Sequence, residues 1–133
     1  MPVIDASVWV AFFLESDTFH AHARKIIHSF AQDQGETIRI PTLALVEVAG
    51  TISRVTRSPI LANKSIHVIE ALGVEVYDLD EPLAKLATEL ASQLAIKGAD
   101  AVYVALARDL ADSLVTFDKQ QSERAAKIVD IVS

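Results

Sequence analysis

The sequence contains no cysteine, which excludes disulfide bonds and thiolate metal sites. It has no apolar run approaching ~18 residues, and its N-terminus lacks the basic region and apolar core of a signal peptide. These absences predict a soluble, unexported protein with no membrane segment, and the lack of cysteine fits a reducing cytoplasm. A basic excess is also missing, because 12 Lys and Arg face 18 Asp and Glu, for a net charge of −6. A nucleic-acid-binding protein usually has a basic surface, so the negative charge argues mildly against such a partner. The argument is only mild because a protein can also bind phosphates through metal cations that its acidic residues hold.

Hydrophobic residues make up 51% of the 133 residues, which excludes a disordered chain. A chain of this length suits one domain, residues 1–133, that folds without a metal ion or a disulfide. Short β-branched segments alternate with amphipathic ones, and this alternation predicts an α/β fold with a mostly parallel sheet covered by helices on both faces. The predicted strands are residues 3–4, 37–40, 74–78, 113–117 and 128–132.

The helices between these strands are predicted from apolar residues at helical spacing and from their caps. They cover residues 18–34, 43–57, 58–73, 80–98 and 99–111, with shorter helices after Asp5 and Asp118. Thr42, Ser58 and Asp80 are the predicted N-caps, and Gly98 is the predicted break between two helices. The spacing of the histidines on or beside the first long helix makes poor ligand pairs, so His20, His22 and His28 are predicted to be solvated surface residues.

An acid directly follows the first predicted strand. Val3 and Ile4 lead into Asp5, and the apolar residues after Ser7 predict a short helix. Ligands of open α/β sheets bind just outside the carboxyl ends of the strands, so Asp5 is placed for chemistry. The alternative is that Asp5 or Ser7 only caps the helix, which is the commonest use of Asp at such a turn.

A second acid lies in the middle of an apolar helical run. Glu47 is the single carboxylate of the stretch LALVEVAG, which begins at Leu43. Because an ionised carboxylate is almost never buried without a partner, Glu47 indicates either a functional site or a compensating cation. The alternatives are that this side of the helix is exposed, or that Glu47 pairs with Arg54 two turns further on.

The third acid, Asp100, follows Gly98 and opens an almost wholly apolar helix. Tyr103, Val104 and Ala107 share its face, so Asp100 points where the core lies. Helix capping is the alternative, although no Glu or Gln follows three residues later to complete a capping box.

The fourth acid, Asp118, follows the predicted strand 113–117 and repeats the arrangement at Asp5. Gln121 lies three residues later, so Asp118 is also a good candidate for a plain N-cap. An N-cap can still face a functional site, and both interpretations stay open at this point.

A parallel sheet brings its strand ends and the neighbouring helices to one rim, where four carboxylates repel one another strongly unless cations are bound. Oxygen ligands favour one or two Mg²⁺ or Mn²⁺ ions over zinc. Such a site suits cleavage of a phosphodiester bond without a catalytic His or Cys, since one ion activates a water and another stabilises the leaving oxygen. Ser7 and Thr116, each two residues from an acid, are expected to hydrogen-bond the acids or the attacking water.

The stretches VIDASVWV, LVEVA, GADAVYVALA and LVTFD closely resemble motifs of the PIN-domain ribonucleases, and among these of the VapC toxins of prokaryotic toxin–antitoxin pairs. The resemblance covers essentially the whole chain in length, order and spacing. It implies a single-domain α/β/α sandwich with a five-stranded parallel sheet, Mg²⁺- or Mn²⁺-dependent endonuclease activity on RNA, a homodimer, and a small antitoxin whose tail enters the acidic groove. The residues it implies for the site are Asp5, Glu47, Asp100 and Asp118 as catalytic metal ligands, with Ser7 and Thr116 as supporting polar residues.

Other residues near these motifs have alternative interpretations. Many relatives carry a further acid or Asn between the third and fourth acids; Asp112 is the nearest candidate here, and its place at a helix end favours a turn residue. Lys119 and Arg54 could hold an RNA phosphate, although solvated surface charge is the better interpretation of each. Trp9 and Phe13 are expected in the core; they mark a dimer or antitoxin contact only if the first helix is exposed on one side.

Two other classes of function compete with a nuclease. A catalytically silent PIN-like module that binds RNA or protein would use the same acids as caps and ion pairs. A phosphoryl-transfer domain also places Asp at strand ends, but a phosphatase of that type needs a second Asp where this chain has Ser7. A receiver domain needs a phospho-accepting Asp on an inner strand, and only Asp78 is available for that role.

Overall fold

The computed structural model describes the whole chain, residues 1–133, as five strands and seven helices. The strands are β1 (Pro2–Ile4), β2 (Arg39–Pro41), β3 (Glu75–Tyr77), β4 (Ser113–Val115) and β5 (Ile131–Val132). The helices are α1 (Ala6–Phe13), α2 (His20–Gln32), α3 (Thr42–Thr56), α4 (Pro59–Ala71), α5 (Glu81–Leu94), α6 (Gly98–Asp109) and α7 (Lys119–Ala125).

The strands form one sheet in the order β3-β2-β1-β4-β5, and all neighbouring strands are parallel. In the central strand, Val3 lies opposite Arg39 of β2 and Leu114 of β4. All three residues of β1 are buried, as expected for an inner strand of a parallel sheet that is covered on both faces. The prediction of an α/β fold with a five-stranded, mostly parallel sheet is confirmed.

The strand order also determines the layers. The chain moves outward from β1 through β2 to β3, then crosses back to β4 and continues to β5. Because such crossovers are right-handed, α1 to α4 lie on one face of the sheet and α5 to α7 on the other. The direction of winding reverses between β1 and β4, and the crevice at the carboxyl ends of these two strands is where ligands of such sheets bind.

Helix α6 forms the centre of one outer layer. Its residues from Ala101 to Ala107 are all buried, because α6 packs against β1, β2 and β4 on one side and against α5 on the other. A helix covered on two sides is apolar nearly all round. The largest fully buried side chains are Trp9 of α1 and Tyr103 of α6, which confirms the prediction that Trp9 belongs to the core. Phe13, at the end of α1, is half-buried against the same core.

Several predicted boundaries differ from the structure. Gly98 does not break a helix but is the first residue of α6; the break lies at Ala95, whose backbone is left-handed, with φ of 53°. Thr42 does not cap α3 with its side chain and is instead its first residue. Ser58 and Asp80 are N-caps as predicted, their side chains accepting hydrogen bonds from the backbone three residues later.

None of the seven helices is by itself long and apolar enough to cross a membrane. Only α5 and α6 taken together have the length and apolar composition of a membrane span, and the two helices are bent by 113° relative to each other.

Candidate functional site

Asp5 lies at the carboxyl end of β1, where the extended backbone at this residue turns the chain into α1. Its side chain is only 3% exposed. Oδ1 accepts hydrogen bonds from the backbone N–H of Ser7, at 3.0 Å, and from the Ser7 hydroxyl, at 2.5 Å. Oδ2 is 2.6 Å from the hydroxyl of Thr116, at the end of β4. Asp5 therefore caps α1, as one alternative proposed, and also joins the ends of the two strands at which the winding reverses.

Burial raises the pKa of Asp5 from 3.8 to about 6. The hydrogen bonds from Ser7 and Thr116 oppose this rise because they stabilise the carboxylate, whereas the negative charge of Asp100 adds to it. No Lys or Arg lies within ion-pair distance of Asp5. The carboxylate is thus held in place by neutral donors and has no cation to offset its charge.

A buried glutamine continues this hydrogen-bond network. Gln121 is 1% exposed, its Oε1 is 2.9 Å from the Thr116 hydroxyl, and its Nε2 donates to the backbone carbonyl of Asp100 at 3.2 Å. The hydroxyl has a single hydrogen, so its contacts with Gln121 and with Asp5 are both hydrogen bonds only when Asp5 is protonated. The sequence indicates Gln121 only as part of a capping box. Its contacts with Thr116 and Asp100 depend on the fold.

Asp118 lies three residues beyond the end of β4 and caps α7. Its Oδ1 accepts a hydrogen bond of 2.9 Å from the backbone N–H of Gln121, as the capping interpretation predicts. Its own backbone N–H donates to the Thr116 hydroxyl at 3.0 Å. The cap uses one carboxylate oxygen, so Oδ2 is available to a ligand, and the half-buried side chain remains open to solvent.

Glu47 comes from the other face of the sheet, on α3. It is half-buried, and its Oε1 accepts a hydrogen bond of 2.6 Å from the hydroxyl of Tyr103 on α6. Glu47 makes no ion pair with Arg54, whose guanidinium instead donates to Thr51. Burial and the bond to Glu47 raise the pKa of Tyr103, so its hydroxyl remains a hydrogen-bond donor to the carboxylate.

Asp100 lies in the first turn of α6 and is the acid through which the others interact. It does not cap the helix, because the N-cap position is Lys97. Burial raises the pKa of Asp100, and the negative charges of Asp118 and then Glu47 raise it further, while Lys97 lowers it. The charge of Asp100 in turn acts on Asp5. The four acids predicted from the sequence therefore lie near enough to one another to interact electrostatically.

We call Asp5, Glu47, Asp100 and Asp118 the acid cluster. The four carboxylates are neighbours, but they do not converge on a single point. No group of three or more carboxylate or imidazole side chains is close enough together to hold one metal ion in this structure. None of the four acids has a Lys or Arg within 4.0 Å, whereas other acids of the chain do. Oxygen donors with excess negative charge are the ligands that Mg²⁺ and Mn²⁺ prefer, so the donor set fits a hard divalent cation.

Asp112 lies away from these acids. It directly precedes β4, so it is at the amino ends of the strands, opposite to the carboxyl ends where the four acids lie. It forms a 2.6 Å ion pair with Arg39 and lies 3.8 Å from the amino group of Met1. Arg39 also pairs with Glu75 at 3.1 Å. Asp112 thus belongs to a network that ties the amino ends of the strands together, and it does not join the acids at the carboxyl ends.

The histidines also lie outside the acid cluster. His22 and His28 are exposed, as predicted. His20 is half-buried, and its Nδ1 is hydrogen-bonded to the carbonyl of Ala11 at 2.8 Å. His22 stacks on Phe117, the residue between Thr116 and Asp118, with ring centroids 5.5 Å apart.

The sequence matches the model of one protein family, the PIN domain, over residues 3–127. This chain belongs to the PIN domain family. The matched range contains all six site residues predicted from the sequence, Asp5, Ser7, Glu47, Asp100, Thr116 and Asp118. No curated protein matches the sequence.

Solved structures share the whole fold of this PIN domain at low sequence identity. The toxin VapC20 of Mycobacterium tuberculosis, described as cleaving the sarcin-ricin loop, matches with a TM-score of 0.81 and 20% identity, covering 100% of both chains. VapBC2 of Rickettsia felis, bound to a promoter DNA fragment, matches with a TM-score of 0.75 and 14% identity over 98% of this chain and 96% of the other. DNA-bound VapBC of Salmonella typhimurium matches with a TM-score of 0.70 and 17% identity, over 98% of this chain and 96% of the other. At these identities the likeness establishes the fold.

Proposed function

We propose that this PIN domain is an Mg²⁺- or Mn²⁺-dependent endoribonuclease, the toxin of a VapBC-type toxin–antitoxin pair. The observation that carries the proposal is the set of four neighbouring carboxylates at the point where the winding of the sheet reverses. Burial raises the pKa of Asp100, the negative charges of Asp118 and Glu47 raise it further, and none of the four acids has a Lys or Arg within 4.0 Å. Unbalanced negative charge of this kind is stabilised when a divalent ion binds.

The proposed ligands of the ion are Asp5, Glu47, Asp100 and Asp118. When bound, the ion supplies Lewis acidity toward the scissile phosphate and the attacking water. Because the carboxylates do not converge on one point in this structure, the proposal includes their approach toward one another as the ion binds. The backbone positions are already close, since Gln121 links α7 to α6 and Asp5 receives a hydrogen bond at each of its oxygens.

The protein's own residues then orient these ligands. Ser7 holds one oxygen of Asp5 and Thr116 holds the other, which fixes the plane of the carboxylate at the end of β1. Tyr103 holds one oxygen of Glu47 with a hydrogen bond of 2.6 Å. Neutral donors that fix a ligating carboxylate leave its charge intact, so the site keeps its attraction for a cation.

The substrate and the partners of the proposal come from the likeness to toxin structures. VapC20 is described as a toxin that cleaves the sarcin-ricin loop, and the matched structures include VapBC complexes. We therefore propose RNA as the substrate, a small antitoxin protein as the partner, and a homodimer as the assembly. A cytoplasmic location is part of the same proposal, because a chain without cysteine fits a reducing compartment.

The main alternative is a catalytically silent PIN domain that binds RNA or protein. It is favoured by the caps that Asp5 and Asp118 form and by the lack of a ready metal site. A receiver domain is disfavoured, because Asp78, its only candidate phospho-acceptor, follows β3, which is an edge strand.

The nuclease proposal is tested by cleavage of a mixed RNA substrate in EDTA, Mg²⁺ or Mn²⁺. The native protein is compared with Asp5→Asn, which removes one ligand, and with Asp112→Asn, which removes an acid at the opposite edge of the sheet. We expect cleavage that requires the metal, is lost in Asp5→Asn and is retained in Asp112→Asn.

Equal cleavage by the native protein and Asp5→Asn would identify a contaminating nuclease and reject the proposal. If neither protein cleaves, the metal-induced change in melting temperature distinguishes the alternatives. A rise that Asp5→Asn abolishes supports the metal site and points to a narrower substrate, whereas no rise favours the silent module.

A further inference from the structure

A cluster of three aromatic rings lies directly beside the acids. The ring of Phe117 packs against Phe19 with centroids 5.1 Å apart and a tilt of 31°, and it stacks on His22 with centroids 5.5 Å apart and an angle of 23°. Phe19 is the N-cap residue of α2 and His22 lies within its first turn. The side chain of Phe19 remains 49% exposed. We call these three residues the aromatic platform.

The platform lines one side of an open groove of ≈ 360 Å³, whose other residues include Thr116, Asp118 and Lys119. Its volume lies within the ~300–1,000 Å³ typical of ligand sites. One groove residue, Asp118, is a member of the acid cluster, and another, Thr116, hydrogen-bonds Asp5, so a molecule in the groove lies beside that cluster. Lys119 is almost fully exposed and only loosely paired, with its Nζ 3.9 Å from Glu123.

The platform is joined to the acids through the backbone of Phe117. The N–H of Phe117 donates to the Ser7 hydroxyl at 3.0 Å, and that hydroxyl in turn donates to Asp5. The backbone N–H of Phe19 donates to the side chain of Asp17 at 2.8 Å, and its ring packs against Phe117. Because the two rings are already in contact, less conformational entropy is lost when a flat ligand stacks on Phe19.

We propose that an unpaired nucleobase of the RNA substrate, next to the cleaved phosphate, stacks on the exposed ring of Phe19, with Lys119 contacting a neighbouring phosphate. This inference rests on the proposed function for its substrate and adds how that substrate is held. Flat aromatic faces beside a cation are the usual recognition elements for single-stranded nucleic acid, because every base has a face that can stack. The acids themselves repel the phosphate backbone, so a favourable contact beside them is required.

Stacking on the platform requires the base to be out of a helix. The PIN domain is therefore expected to select single-stranded segments and loops over continuous duplex, and to tolerate different bases at the stacked position. This is a preference for the conformation of the RNA, and it needs no base-specific hydrogen bond.

The experiment measures binding by fluorescence anisotropy, with EDTA present to prevent cleavage. The probes are a labelled single-stranded RNA of about twelve nucleotides, chosen to exceed a typical site of ~4–16 nucleotides, and the same RNA annealed to its complement. The variants are Phe19→Ala, Phe19→Leu and Phe19→Trp. Ile60→Ala, a truncation of an exposed apolar residue at the start of α4, is the matched control.

We expect Phe19→Ala to weaken binding of the single strand roughly 5- to 150-fold, which corresponds to the ~1–3 kcal/mol of one base–aromatic stack. Phe19→Trp is expected to restore the affinity and Phe19→Leu is not. Ile60→Ala should bind like the native protein. Duplex binding should be weak in all variants and insensitive to the substitution at Phe19.

Three results would overturn the inference. Unchanged single-strand binding in Phe19→Ala would show that no base stacks there. Full rescue by Phe19→Leu would mean that the groove takes any apolar group. Absence of RNA binding by the native protein would reject both this inference and the proposed function, whereas Phe19-dependent binding without cleavage in Mg²⁺ or Mn²⁺ and without a metal-induced rise in melting temperature would support the platform and reject only the nuclease.

Discussion

The most informative single substitution in the metal-free protein is Asp5→Asn, and it is expected to stabilise the fold. The pKa of Asp5 is about 6 in the folded state, against 3.8 for the free side chain. Between these values the folded protein still holds a proton that the unfolded chain has released, so the free energy of unfolding falls as the pH rises from about 4 to about 6. A pKa difference of about two corresponds to roughly 3 kcal/mol at neutral pH.

Asn removes this cost because it is neutral at every pH and fits the same contacts. Its Oδ1 accepts from Ser7 as the carboxylate does, and its amide donates to the Thr116 hydroxyl. The hydrogen of that hydroxyl is then free for Gln121, so each contact becomes a proper hydrogen bond. The substitution should therefore leave the structure intact while removing the buried charge.

The measurement is urea unfolding in EDTA at several pH values from 4 to 8, for the native protein and Asp5→Asn. We expect equal stability near pH 4 and an advantage for Asp5→Asn that grows to roughly 3 kcal/mol at pH 7. Asp130→Asn, the same charge change at an exposed side chain, should alter stability by no more than ~0.5 kcal/mol. With Mg²⁺ or Mn²⁺ present, the native protein and Asp130→Asn should gain stability, and Asp5→Asn should not.

If Asp5→Asn is only as stable as the native protein at pH 7 in EDTA, or less stable, the buried charge of Asp5 does not destabilise the fold. A difference that does not depend on pH would also contradict the prediction, because the stabilisation would then not come from the proton on Asp5.

Two further predictions concern the surroundings of the site. Tyr103→Phe removes the hydroxyl that holds Glu47, and loss of such a partner typically lowers metal affinity ~10- to 100-fold, which calorimetric titration with Mn²⁺ would measure; unchanged affinity would exclude Glu47 as an oriented ligand. Asp112→Asn breaks the half-buried ion pair with Arg39, and we expect a loss of stability of ~1–3 kcal/mol in urea unfolding with no change in metal affinity; weaker metal binding would contradict the separation of the two edges.

The fold could be predicted because its information is local. Each strand is a short β-branched segment and each helix has an apolar face, so the alternation of the two gives a parallel sheet. The boundary at Gly98 was wrong for a tertiary reason. Glycine has low helix propensity, but the helix ends earlier, at Leu94, and the chain between the helices turns at Ala95 and buries Ile96.

The four acids could be proposed from the sequence because strand ends are recognisable and because charged residues in apolar runs stand out. The hydrogen-bond partners of these acids could not be predicted from the sequence. The hydrogen bond from Tyr103 to Glu47 joins residues 56 positions apart, and the one from Thr116 to Asp5 joins residues 111 apart. The stacking of Phe19 on Phe117 is also a product of the fold, and no periodicity in the sequence indicates it.

The acid cluster is proposed to cleave RNA through a divalent ion, and Asp100 is the acid whose charge interacts with the other three. The most direct measurement is the single-turnover cleavage rate of single-stranded RNA in Mn²⁺ for the native protein and Asp100→Asn. We predict metal-dependent cleavage that the substitution slows roughly 100-fold or more, with binding of the RNA retained. Cleavage in EDTA, or an equal rate in Asp100→Asn, would contradict the account.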